Sequence, residues 1–352
     1  MSLYLHGLGH FHPQNEITNR FLEDLDIGTD DEWIRERVGI RSRRTTLPLD
    51  YIRETRNRDP RAAAEATLYT HAETGRRAAE MAIERAGIDR SAIGLVLAGS
   101  SAMDTATPAE ACNVARALDI EAPALDVNSA CTSFFANLYL LSLMQPEKLP
   151  PYVLVVVPEA VTRSVDYGDR ASAVLWGDAA AAAVVSTRVP SRIEILDNTF
   201  ASSPSGADKV VVPRLGHFRQ EGRAVQTFAI RKTSLLLEEV QARHAGSDSP
   251  LHFVGHQANL RMLEAVCRHC HVSEERHHSN VEWYGNTAAA GAPSVVSMRW
   301  DAWAAGDEIA MVGVGAGLSW SSTRLRFAEL GEAATEPSAE AVAASVGSGG
   351  AS

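Results

Sequence analysis

The sequence is short of several things, and each shortage excludes something. Four cysteines among 352 residues are too few for a disulfide framework, so a reducing cytoplasm is the expected setting. No run approaches ~18 uninterrupted apolar residues, so no membrane span is expected. The opening Met1-Ser2-Leu3-Tyr4-Leu5-His6 has no basic segment followed by a long apolar one, so no secretory signal is expected. Positive charge is in deficit: 33 Lys and Arg stand against 44 Asp and Glu, a formal net charge of −11. That disfavours nucleic acid as a partner. No glycine-rich dinucleotide fingerprint follows the first strand-like segment, so an oxidoreductase reading has no support.

What is present begins with core-forming capacity. Hydrophobic residues make up 45% of the chain, enough for a sizeable core in one large or two ordinary domains. The chain is organised around Ala124 to Ala136, a short apolar strand, a joint of small polar residues and an apolar helix-favouring run. Cys131 sits at the joint. A thiol there meets unpaired N–H groups and the positive end of a helix dipole, which favour the thiolate. The same N–H groups can hold an oxyanion if the sulfur attacks a carbonyl. The competing reading is a buried structural cysteine.

Two downstream stretches supply partners. Phe253 to Leu263 repeats the strand–joint–helix design around His256, and Trp283 to Ser294 places Asn286 in a loop entering a small-residue helix. Alone, the histidine reads as a satisfied or surface residue and the asparagine as a turn residue. Together, Cys131, His256 and Asn286 form a nucleophile with two groups able to bind or protonate an oxygen.

Asp126-Val127-Asn128-Ser129-Ala130-Cys131-Thr132, Gly255-His256-Gln257-Ala258-Asn259-Leu260-Arg261 and Tyr284-Gly285-Asn286-Thr287 resemble the three signatures of the β-ketoacyl-acyl-carrier-protein synthase III family. The resemblance runs to Phe327. It implies an α/β thiolase-like fold, a five-layer αβαβα sandwich of two duplicated halves. The halves are expected at 1–190, with Cys131, and 191–330, with His256 and Asn286, followed by a disordered tail at 331–352, which is mostly Ala, Glu, Ser and Gly.

The resemblance also implies a chemistry. Cys131 would accept an acyl group from acyl-coenzyme A or an acyl carrier protein. Decarboxylative Claisen condensation with a malonyl carrier protein would follow, assisted by His256 and Asn286. No resident cofactor or metal is implied, and the expected partners are acyl carrier protein and a second copy of the chain. The oxyanion hole would be the backbone N–H groups of Cys131 and Ala316, the latter in Gly313-Val314-Gly315-Ala316-Gly317, where an alanine replaces a family glycine. Such a donor tolerates alanine only if φ stays negative. Trp33 and Arg37 would meet the coenzyme A adenine and phosphates or a carrier protein's phosphopantetheine region, Arg170 the nucleotide end, and Arg261 a docked carrier protein; Trp33 reads equally as plain core. A second alanine-for-glycine change is Ala179, after Gly177-Asp178. Thr107 stands where the family often has a bulky aromatic, which implies a longer or wider acyl pocket.

Along the chain, residues 3–9 read as a strand ending in Gly-Leu-Gly, Glu73 to Gly87 as an amphipathic helix, and Ile309 to Val314 as the last strand. Leu47 to Thr70 reads as an insertion near the entrance. Arg35, Arg37, Arg41, Arg43 and Arg44 form a local basic cluster, either a docking patch or a solvated face. Cys112 reads as a packing residue. Cys267-Arg268-His269-Cys270-His271 spells a haem-attachment pattern; zinc with His277 and His278, or a plain helix end, are the other readings. Alternatives to condensation are acyl transfer to oxygen or nitrogen, and an inactive, partner-binding relative. Asn286 favours carbon–carbon bond formation, and the intact trio argues against inactivity.

Overall fold

A computed structural model describes residues 2–214 and 216–328. The tail expected to be disordered lies outside the described residues. Nine strands share one sheet: β1 Leu3–Phe11, β2 Ile93–Ala98, β3 Ala124–Asp126, β4 Tyr152–Glu159, β5 Ala179–Ser186, β6 Ile193–Ser202, β7 Leu251–Gly255, β8 Glu308–Gly315 and β9 Ser319–Phe327. Their order is β7-β8-β9-β6-β1-β5-β4-β2-β3. The main helices are α1 Asp31–Arg37, α2 His71–Ala86, α3 Glu110–Ala117, α4 Ser133–Leu143, α5 Gly222–His244, α6 Leu260–His269 and α7 Gly291–Met298.

The sheet is two copies of one pattern joined at β1 and β6, which pair through Leu3–Leu5 and Ile193–Ile195. In each copy the first strand runs antiparallel to the last (β1 with β5, β6 with β9). The last runs antiparallel to the strand before it (β5 with β4, β9 with β8), and that strand pairs in parallel with an earlier one (β4 with β2, β8 with β7). Only the first copy carries the extra edge strand, β3.

Burial sorts these elements into five layers. The apolar helices α4 and α7 (Phe134, Phe135, Leu138; Ala292, Val295, Val296) lie between the copies, against Val155 and Val157 of one and Val254 and Met311 of the other. The alanine face of α2 and Val114 of α3 cover the outer side of the first copy, over Val96, Val156 and Ala182. Leu236 and Leu237 of α5 and Leu263 of α6 cover the outer side of the second, over Phe253 and Val312. β4 and β5 are therefore buried on both faces, which is why their sequences are apolar up to a single polar residue at the end of each. The alanine run of β5 is this strand, not low complexity.

Three readings needed correction. Gly7 and Gly9 do not end β1. A Cβ at either would lie 2.0 Å from a backbone carbonyl of α2, so the glycines let helix and strand touch, and the strand continues to Phe11. β8 is not the last strand: the chain turns at 316–318 and returns as β9, whose mixed composition carries no apolar run to announce it. Cys112 is exposed rather than packed.

Candidate active site

Cys131, His256 and Asn286 are each buried, and all three line one cavity of about 440 Å³. The rest of its wall is mainly apolar, including Trp176, Phe218, Val210 and Met262, and Trp33 and Arg37 stand on it as well. Cys131 lies in a single turn at 130–132 that runs into α4. The turn is set from the sequence: Asn128 Oδ1 accepts the Ala130 N–H at 2.8 Å, and Ala130 takes a left-handed φ of 47°. Such a conformation is costly for a residue with a Cβ, and it persists because the neighbours enforce it.

The second copy repeats this device. Asn286 Oδ1 accepts the Ala288 N–H at 3.0 Å, and Ala288 has the same φ of 47° ahead of α7. This revises the repeat read from sequence. His256 follows β7, which occupies the place that β2 holds in the first copy. The counterpart of the Asn128–Cys131 turn is Asn286–Ala289, not the histidine joint. Asn-Ser-Ala-Cys against Asn-Thr-Ala-Ala is the signal that could have found it.

Asn286 therefore spends its oxygen on the turn, and its Nδ2 has no protein partner among the described residues. The His256 ring likewise makes no hydrogen bond among them. Burial alone lowers its pKa to about 4, so the imidazole is neutral near pH 7. Gln257 braces its loop, with Nε2 donating to the Gly255 carbonyl at 2.6 Å and Oε1 accepting the Asn280 and Val281 N–H groups.

The thiol differs from the sequence reading. Burial pushes Cys131 up to about 12, and the charge of Glu159 adds to the rise. The Ser101 hydroxyl and the N–H groups of Cys131 and Ala316 pull the other way. Desolvation outweighs the turn of N–H groups, so the resting sulfur is a thiol. Ala316 keeps its φ out of the left-handed region, so the alanine is accommodated there. Gly315 is held small: a Cβ would sit 3.2 Å from both the Cys131 Cβ and the Thr132 N.

The entrance residues separate. Trp33 is half-buried between two guanidinium groups, Arg37 at 5.3 Å and Arg170 at 4.9 Å from its ring centroid. Arg170 also donates to the Gly28 carbonyl at 2.5 Å. Arg261 is not on the cavity wall. It caps the end of α1 by donating to the Arg35 carbonyl at 2.7 Å, and it pairs with Glu264. The basic cluster is only partly a surface: Arg43 is fully buried and donates to the Val174 carbonyl, and Arg41 pairs with Glu282 at 2.5 Å.

The 47–70 insertion forms short helices at Leu49–Thr55 and Pro60–Ala66. Ile52 and Ala63 pack in the same apolar cluster as Cys131, and Asn57 ties the insertion to the Arg163 and Val165 carbonyls at 2.8 Å each. It is thus packed onto the apolar cluster behind Cys131, and none of its residues lines the cavity. The Cys267–His271 pattern closes a helix: both cysteines face the core of the second copy, and His277 stacks on Phe253. Among the described residues, the metal-like grouping is instead His71, Asp104 and Glu110, and Arg163 already fills it, 2.5 Å from Asp104.

Two polar residues of the site went unread in the sequence, Ser101 and Glu159. Glu159 ends β4 and is almost wholly buried. Its carboxyl accepts the Ser101 N–H at 2.9 Å, the Ser101 hydroxyl at 3.1 Å, the Ser100 hydroxyl at 3.3 Å and the Ala289 N–H at 3.2 Å. A carboxylate ending an otherwise apolar buried strand was the available signal.

A layered α/β sandwich with a cysteine at the start of a central helix defines the condensing enzymes of the thiolase superfamily. Residues 125–204 match the family described as 3-oxoacyl-(acyl-carrier-protein) synthase III, and residues 241–327 match its C-terminal part. The chain is 31% identical to the β-ketoacyl-(acyl-carrier-protein) synthase III of Oceanobacillus iheyensis over 332 residues, covering 93% of this chain and 99% of that one. Among solved structures, it is similar to the 3-oxoacyl-(acyl-carrier-protein) synthase III of Aquifex aeolicus, with 27% identity, a TM-score of 0.81, and 92% and 100% coverage of the two chains. It is also similar to the priming β-ketosynthase of the R1128 polyketide pathway, with 27% identity, a TM-score of 0.77, and 93% and 96% coverage. The chain belongs to the β-ketoacyl-acyl-carrier-protein synthase III family and is an acyl-transferring condensing enzyme.

Proposed function

We propose that Cys131 is the nucleophile of a two-stage cycle that makes a β-ketoacyl thioester. The observation that carries this reading is the convergence of Cys131, His256 and Asn286 on one cavity, with Ala316 on the same wall. The thiol attacks an acyl thioester, and the N–H groups of Cys131 and Ala316 hold the oxyanion. Collapse leaves the acyl group on Cys131 and releases the donor thiol.

A malonyl thioester on acyl carrier protein then enters. The neutral His256 ring and the free Nδ2 of Asn286 donate to its thioester carbonyl. They stabilise the enolate left as carbon dioxide departs, and the carbanion attacks the acyl-Cys131 carbonyl. A neutral imidazole suits this role, because it donates a hydrogen bond without first losing a charge. Both substrates are thioesters, and every step uses side chains and backbone of the protein itself.

Trp33, Arg37 and Arg170 form the seat for the donor's nucleotide or pantetheine arm: a flat ring flanked by two cations fits an adenine and its phosphates. Arg261 acts from outside the cavity, by bracing α1 beside a docked carrier protein. A homodimer is supported by β3, an edge strand with Leu125 46% exposed. The working compartment is the cytoplasm. With the small Thr107 in the 100–108 loop, the primer is longer than acetyl, in fatty-acid or secondary-metabolite synthesis.

Intact-protein mass after incubation with a panel of acyl-coenzyme A thioesters tests the reading. The expected result is a mass gain on wild type but not on Cys131→Ala, discharged by malonyl carrier protein. No gain with any coenzyme A or carrier-protein thioester on folded protein would overturn it.

A further inference from the structure

The 47–70 insertion has no part in the proposed cycle, yet it is tied to the cavity wall. His217 Nε2 donates to the Asn57 carbonyl at 2.7 Å, and the next residue, Phe218, lines the cavity. The Phe218 N–H donates to the Ser164 carbonyl at 2.8 Å, so residues 217 and 218 are held from two sides. Asn57 is anchored in turn. Its Nδ2 donates to the Arg163 and Val165 carbonyls, and the Tyr51 hydroxyl donates to its Oδ1 at 3.0 Å.

Phe218 meets Trp176 edge to face, with ring centroids 4.6 Å apart and planes at 66°. Both rings are buried, both line the cavity with Cys131, and all three residues belong to one apolar cluster. Trp176 is fixed beside the chemistry. The Asn286 N–H donates to the Leu175 carbonyl at 2.8 Å, and the Gly177 N–H donates to the Asn286 carbonyl at 3.0 Å. The backbone on both sides of Trp176 is therefore clamped to Asn286. Gly177 permits the close approach, because a Cβ there would collide with the Tyr284 carbonyl oxygen. The exposed end of the cavity lies elsewhere, at Arg37, Gln220 and Gln226.

We propose that the Trp176–Phe218 corner is the stop that sets the length of the acyl primer, and that the 47–70 insertion holds this stop in place through Asn57 and His217. This rests on Cys131 accepting the acyl group in this cavity. The substrate class that follows is an aliphatic acyl thioester of bounded length, apolar at the end that meets the two rings. A wall selects by length only if it cannot yield. A methylene beyond the fit must push a ring aside in a close-packed interior. Here that movement would strain the His217–Asn57 bond on one side and the clamp on Asn286 on the other. One methylene in such a pocket is worth about 10–200-fold. Trp176 and Phe218 are thus specificity-determining residues, and Asn57 and His217 are positioning residues behind them.

Loading of Cys131, followed by intact-protein mass over a series of straight-chain acyl-coenzyme A donors from acetyl to palmitoyl, tests this. In wild type the loading rate should fall about tenfold or more at one step of the series. Phe218→Ala and Trp176→Ala should move that fall to chains longer by about two to four carbons, because each leaves a cavity where a ring stood. Where an alanine variant does not fold, Phe218→Leu or Trp176→Phe should shift the fall in the same direction by less. His217→Phe loses the donor and should load chains beyond the wild-type limit about tenfold faster; His217→Gln keeps a donor and should restore the limit. A general loss of stability would slow all lengths alike. Folded ring variants with the wild-type length profile would overturn the stop, and an unchanged profile in His217→Phe would overturn the part given to the insertion. Absence of loading at every length in wild type is a different failure: it removes the nucleophile reading, and the stop with it.

Discussion

Asn128 and Asn286 do the same work in the two halves of the molecule. Each side-chain oxygen accepts the N–H of the alanine two residues on, and each alanine has a φ of 47°. The turns then diverge by one side chain. The first presents a sulfur at 131; the second has Ala289 there, and its N–H is taken up by Glu159 instead. One duplicated turn thus gives a nucleophile on one side and a bare amide donor, the Asn286 Nδ2, on the other.

The two asparagines should therefore respond differently to mutation. Asn286→Ala should leave acyl loading of Cys131 largely intact and slow condensation about 10²–10³-fold, the usual loss for one oxyanion donor. Asn128→Ala should weaken loading itself and cost ~1 kcal/mol of stability, as one hydrogen bond does. Mass-resolved loading and carbon dioxide release separate the outcomes.

Gly285, next to Asn286, has φ 69° and ψ −166°, a region open essentially to glycine alone. A Cβ there would also lie 2.8 Å from the Leu175 carbonyl oxygen and from Cγ of the buried Arg43. Gly285→Ala should lower the unfolding temperature and displace Asn286. Calorimetry beside a condensation assay would show both losses; a stable and active variant would contradict the placement.

Acid should destabilise the fold. His10, His12, His256 and His278 all have folded pKa values below 6.5, chiefly because burial disfavours the charged ring. A depressed folded pKa means that the unfolded chain binds more protons, so the stabilisation is present above pH 6.5 and is lost as pH falls toward 4. Unfolding midpoints from pH 7.5 to 4.5 should fall steadily, and less steeply in His256→Gln.

Trp33→Ala should raise KM for the acyl-coenzyme A donor about tenfold, consistent with loss of an aromatic face flanked by two cations. It should leave the saturated loading rate nearly unchanged, since Trp33 does not face the sulfur. Loading kinetics over donor concentration would test this; a fall in the saturated rate alone would contradict it.

Much of this was legible in the chain because the chemistry is local. The Cys131 turn is encoded by Asn128 and the small residues around it, and the buried strands by their apolar runs. Long-range pairings were not legible. β9 has serines and arginines that satisfy themselves across β6 and β8, so no apolar pattern marks it. The two glycines of β1 looked like a strand end because their partner, the α2 backbone, lies some seventy residues on. Arg43 looked like surface charge because its acceptor, the Val174 carbonyl, is distant in sequence.

By itself, the sequence determined the identity of the three candidate groups, their family and the local turns that carry two of them. Those depend on short-range hydrogen bonds and on side-chain chemistry that any chain with these residues retains. Only the tertiary structure decided their electrostatics. Burial made Cys131 a thiol and His256 a neutral ring, against a helix start that alone would favour the thiolate. Desolvation depends on everything packed around a group, and here that includes Glu159, at the end of a strand 28 residues further along the chain.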